Sequence, residues 1–86
     1  MTEKQFAKYA GKLIRVTRHR FPHSVALDIW EGYLVLDRYK VMSYKTTPPK
    51  ELTKTNFRII LQDEPNAYHI IKWNELKLIL KVEEIE

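Results

Sequence analysis

The chain of 86 residues has no cysteine, only two glycines and no apolar run long enough to cross a membrane. Without cysteine, neither disulfides nor thiolate metal ligation is available, so packing of the 44% apolar residues has to hold the fold. That composition suits a reducing compartment, and the expected location is cytoplasmic. A membrane span needs roughly 18–20 apolar residues and a secretory leader needs an apolar core, and residues 1–10 offer neither. Two glycines do not build a phosphate-cradling loop, and there is no Gly-x-Ser-x-Gly nucleophile motif. The expectation is one domain over residues 1–86, not an enzyme, with no cofactor.

Charge is unevenly spread. The net charge is +4, but residues 1–50 hold ten Lys and Arg against four Asp and Glu, whereas residues 51–86 hold five against seven. A positive field of this kind favours acidic partners such as nucleic acid or an acidic protein surface, although it also serves simple solubility.

Local patterns define the elements. Thr2-Glu3-Lys4-Gln5 has the spacing of a capping box and predicts a short helix over 3–10, with Phe6, Tyr9 and Ala10 as its buried stripe and Gly11 ending it in a left-handed conformation. Residues 12–18 read as a strand with Ile14 and Val16 on one side and Leu13, Arg15 and Thr17 on the other. Pro22 interrupts any pairing in the segment that follows. Residues 26–36 read as one long strand in which the aliphatic residues sit at odd positions before Gly32 (Leu27, Ile29) and at even positions after it (Leu34, Leu36). A phase slip at a glycine predicts a bulge or sharp bend. Residues 37–40 are read as a turn into a short strand over 41–45, and residues 46–55, with Pro48 and Pro49, as a long loop. Strands follow over 56–62, 68–73 and 76–82, with a tight or 3₁₀ turn across 73–76. One helix and then strands without helical crossovers predicts a mainly β fold: a small, strongly bent antiparallel β-barrel over 12–82.

The segments Trp30-Glu31-Gly32-Tyr33-Leu34-Val35-Leu36, Phe57 to Asp63 and His69 to Ile79 resemble, in order, the strands of Sm-like and SH3-like small barrels, in which a bent second strand carries a glycine and a 3₁₀-type turn separates the last two strands. The resemblance covers most of residues 12–82, is one of hydrophobic pattern, and implies a fold without implying site residues. A fainter likeness is to the YolD-like proteins of Gram-positive bacteria and their mobile elements, although the Arg-Gly and Lys-Trp residues near the start of that family are missing.

For chemistry, His19 and His23 have the i, i+4 spacing of helical metal ligands, but Pro22 opposes a helix and only His69 or a distant carboxylate is left as a third ligand; the alternative is exposed loop histidines. Asp28 and Glu31 are the acids embedded in an apolar strand, where they serve either acid-base chemistry or cross-strand ion pairs. The main candidate is a basic, aromatic-bearing set of Arg15, Arg18, His19, Arg20, Phe21 and His23, extended by Arg38, Tyr39 and Lys40, in which cations neutralise phosphates and rings stack on unpaired bases. The competing expectation is a protein-interaction or regulatory module, of the kind a phage or plasmid accessory protein supplies, docking through a strand edge or an apolar patch around Trp30, Tyr33 and Tyr44. Self-association through strand edges is compatible with both. Trp73 and Trp30 are expected in the core.

Overall fold

The helix begins where the capping box places it. In the computed structural model, which describes residues 1–85, Thr2 Oγ1 accepts the Gln5 amide at 3.1 Å and the Thr2 amide donates to Gln5 Oε1 at 2.9 Å, opening α1 (Glu3–Ala7). It stops three residues short of the expected Ala10. The backbone of Leu34 captures the chain there: Gly11, at φ +78°, donates to the Leu34 carbonyl at 2.8 Å, and the Leu34 amide donates to Lys12. Phe6 is fully buried and Tyr9 half-buried, but Ala10 is exposed.

Five strands follow: β1 (Leu13–His19), β2 (Leu27–Ser43), β3 (Lys50–Ile60), β4 (Tyr68–Ile71) and β5 (Ile79–Glu84), with a 3₁₀ turn η1 (Leu76–Leu78) before the last. They form one antiparallel sheet in the order β4-β3-β2-β1-β5. The two outermost strands are consecutive in the chain and joined through η1, yet no ladder joins them among the described residues, so the sheet stays open where a closed barrel was expected.

β2 is the largest departure from expectation. Residues 37–40 do not turn; the strand runs 17 residues without interruption, and residues 50–55, expected as loop, pair with it as the start of β3. Nor does its phase slip. The ladder with β1 passes Gly32 in continuous register and the ladder with β3 takes over at Tyr33 without a shift, with Asp28, Trp30, Gly32, Leu34 and Leu36 on the inner side throughout. Leu27 and Ile29 lie on the outer face at 45% and 62% exposure, so the apparent slip records two apolar faces on one strand.

Gly32 bends the strand for a different reason from the bulge expected. A Cβ there would overlap the Ile60 carbonyl oxygen and lie 2.8 Å from its carbon and 3.0 Å from Ile59 Cγ2. The bend divides β2 into a first part, 27–33, paired with β1 and a second part, 33–43, paired with β3, with Tyr33 in both ladders. Inside the curl, Phe6, Ile14, Val16, Leu34, Phe57, Ile59 and Ile71 are fully buried or nearly so, and the Phe6 and Phe57 rings meet at 4.7 Å.

Gly32→Ala is expected to destabilise the fold by about 3 kcal/mol or more, because the added methyl meets backbone atoms that cannot rotate away. Gly11→Ala meets no atom within 4 Å and carries only the left-handed strain, on the order of 1 kcal/mol. Urea denaturation of the two variants checks the order; an equal effect contradicts the role assigned to Gly32.

Candidate nucleic-acid interface

The residues expected to bind phosphate separate into two groups. On β1, Arg15 is engaged with Glu31 on the outer face at 2.9 Å. Arg20 pairs with Asp28 at 3.1 Å. Arg18 is only 5% exposed: alternation along β1 puts it on the inner side with Ile14 and Val16, and a register shift between Thr17 and Arg18 brings it opposite Ile79. Its guanidinium donates to the carbonyls of His19 and Arg20 at 3.0 Å each, approaches Glu75 at 3.9 Å and lies over the Trp30 ring at 4.8 Å. Trp30 stacks in turn on His69, with centroids 4.3 Å apart. This Arg18-Trp30-His69 stack satisfies a buried cation with carbonyls and a ring face, so Arg18 is a packing residue withdrawn from the surface where a phosphate would bind.

The loop after β1 is also tied inward. His19 Nδ1 bonds the Ser24 carbonyl at 2.8 Å, Ser24 Oγ accepts the Ala26 amide at 3.0 Å, and His23 takes φ +64°. Phe21 stays 57% exposed at its rim. Among the described residues, no three His, Asp or Glu side chains group in a way that could hold a metal ion. Asp28 and Glu31 are ion-pair partners, as one of their two expected roles required.

The second group, Arg38, Tyr39 and Lys40, lies on the part of the molecule that leaves the core. Residues 37–43 of β2 and 50–56 of β3 pair only with each other and form a two-stranded ribbon along a molecule 46 Å in its longest dimension. Between residues 38 and 54 the ribbon carries Arg38, Lys40, Lys45, Lys50 and Lys54 against the single carboxylate of Glu51, a surplus equal to the net charge of the whole chain. Arg38, Lys45, Lys50 and Lys54 have no acidic partner within salt-bridge distance among the described residues. Lys40 touches Glu51 at 3.2 Å, with both side chains more than half exposed. Such a surface pair contributes little and is readily exchanged for a phosphate contact.

Alternation sorts the ribbon into two faces. Arg38, Lys40 and Met42 continue the inner face of β2, opposite Thr55, Thr53 and Glu51; Tyr39, Val41 and Ser43 lie on the outer face, opposite Lys54, Leu52 and Lys50. The outer face extends onto β4 with Tyr68 and Ile70, and here the structure corrects the expectation for Trp73. Its amide bonds Asn56 Oδ1 at 3.2 Å beyond the end of β4, which leaves the ring 45% exposed beside β3 with Lys54 Nζ 4.0 Å from its centroid. Nearby, Arg58 forks onto Asp37 and sits over the Tyr68 ring at 5.4 Å. The hydrogen bond to Asp37 raises the Arg58 pKa above its ordinary value.

Lys54, Arg58, Tyr68 and Trp73 were absent from the expected set. The i, i+2, i+4 spacing of Lys54, Asn56 and Arg58 opposite an apolar Phe57-Ile59 face was the available signal. No protein-family model, curated protein or solved structure matches the chain.

Arg18→Ala is expected to lower stability by about 2–3 kcal/mol, since Trp30 and two carbonyls lose their partner inside the fold. Arg15→Ala and Arg20→Ala, in exposed pairs, are expected to cost less than about 1 kcal/mol. Denaturant midpoints of the three variants check this; a silent Arg18→Ala would show that the buried guanidinium does not hold the packing.

Proposed function

We propose that this chain is a small SH3-like or Sm-like module, non-catalytic, that binds nucleic acid through the ribbon of β2 and β3. The concentration of free cations on that ribbon carries the reading. Four cations without acidic partners among the described residues project from a two-stranded element and its connecting turn, while Arg15, Arg18 and Arg20 are engaged within the molecule. Phosphates are what such a field attracts, and binding of this kind gains free energy by releasing condensed counterions. The fold part of the reading is supported by the strand order, the bent glycine-bearing β2 and the 3₁₀ turn before β5.

A second reading, a protein-docking module, has its own observation. Val25, Leu27 and Ile29 are 98%, 45% and 62% exposed along the start of β2, on the side away from the core. Trp30 is half-buried against the core, where it was expected, and does not join Tyr33 and Tyr44 in an exposed patch, so the apolar surface centres on Leu27 and Ile29.

The nucleic-acid reading predicts affinity that falls steeply with salt. Arg38→Ala, Lys45→Ala and Lys50→Ala are each expected to reduce the slope of log K against log salt by about 0.7–0.9, one phosphate contact each, while Arg15→Ala and Arg20→Ala leave it unchanged. Fluorescence anisotropy over a salt series measures both. Affinity insensitive to salt, or lost equally in the β1 variants, contradicts the assignment; a nuclease-resistant complex broken by Ile29→Asp instead favours the protein partner.

A further inference from the structure

Electrostatics alone does not distinguish a duplex from a single strand, but the outer face of the sheet carries chemistry that does. Lys54 lies over one face of the Trp73 ring and Arg58 over one face of the Tyr68 ring, two aromatic-cation pairs on one side of the sheet, with Tyr39 directly across the ladder from Lys54. Along β3, Lys54 and Arg58 are four residues apart, about 13 Å. Trp73, Tyr68 and Tyr39 are 45%, 51% and 36% exposed. Their arrangement is not explained by the core, which lies on the other side of β3 under Phe57 and Ile59.

We infer that this face is a stacking platform for single-stranded nucleic acid, in which Trp73, Tyr68 and Tyr39 receive unpaired bases and Lys54 faces the intervening phosphates, while Arg58, held by Asp37, backs the Tyr68 ring. The inference rests on the nucleic-acid reading above and narrows its ligand. Bases in a duplex are already stacked on one another and present only edges, so exposed rings on a flat β face gain nothing from them; an unpaired strand presents the faces that rings can cover. A cation without an acidic partner among the described residues, next to both Trp73 and Tyr39, suits the alternation of base and phosphate along such a strand. Sequence preference is not required, because every base has a stacking face.

The test titrates the full chain at low salt with 20-nucleotide oligo-dT, 20-nucleotide oligo-rU and a 20-base-pair DNA duplex, following tryptophan emission and anisotropy of labelled strands. The single strands are expected to bind more tightly than the duplex and to quench emission. Trp73→Ala is expected to weaken single-strand binding by roughly 5- to 30-fold and to change duplex binding less than about twofold. Trp73→Phe keeps a ring, so it is expected to restore affinity but lose the quench, which separates stacking from a fold defect. Tighter binding of either single strand than of the duplex supports the platform, whichever of oligo-dT and oligo-rU is preferred. Duplex binding as tight as single-strand binding, with Trp73→Ala silent, overturns the platform while leaving the nucleic-acid reading intact. Binding of neither at low salt overturns both.

Discussion

The close approach of the Ile60 carbonyl to Gly32 is the constraint on which the remaining architecture depends. Only a residue without Cβ lets the end of β3 cross that near to β2, and the crossing turns one strand into a member of two ladders. Everything before Gly32 belongs to the curl with β1 and β5; everything after Leu36 is free to leave it. Without the bend, Leu34 and Leu36 could not reach the same core as Ile14 and Val16. With it, α1 has a surface to cover, and Phe6 fills the space over Phe57.

The open side of the sheet is managed by side chains. His69 on β4 stacks on Trp30 of β2, Trp30 carries Arg18 of β1, and Arg18 faces Glu75 just before η1. This chain of contacts draws together elements that the backbone ladders leave apart, and burying a cation there is tolerable because carbonyls and an aromatic face replace water. It also divides labour within the molecule. Arg15, Arg18 and Arg20 are consumed in pairs or packing, whereas the cations of the ribbon face solvent with little opposition. A ribbon with few buried residues gains little stability from its own contacts and depends on the anchored end near Tyr33.

Local signals were legible in the sequence where local chemistry decides the outcome. Thr2 and Gln5 announce the helix start and the Phe57-Ile59 alternation its strand, because each rests on neighbours within four residues, whereas Gly11 takes its left-handed turn beyond the helix end at Ala7. The length of β2 was not legible: residues 37–40 look like a turn by composition, and only pairing with residues 53–56 keeps them extended. The apolar positions around Gly32 misled because Leu27 and Ile29 are exposed on the outer face, so hydrophobicity did not mark the core side. Arg18 continued the inward alternation of Ile14 and Val16, but its charge suggested solvent. Trp73 failed in the opposite sense, since apolar bulk suggested the core while a hydrogen bond to Asn56 holds it outside. Three of the nine expected site residues, Arg38, Tyr39 and Lys40, fall on the ribbon; their ladder neighbours on β3 were hidden by the reading of residues 46–55 as loop.

The central claim is that the ribbon and the outer face beside it, rather than the loop after β1, meet the nucleic acid. Amide chemical-shift mapping of the isotope-labelled chain against a short single-stranded oligonucleotide tests this residue by residue. The account predicts perturbations concentrated in residues 37–56 and 68–73, with residues 18–26 nearly unchanged. Perturbations centred on residues 18–26, with the ribbon silent, would contradict it.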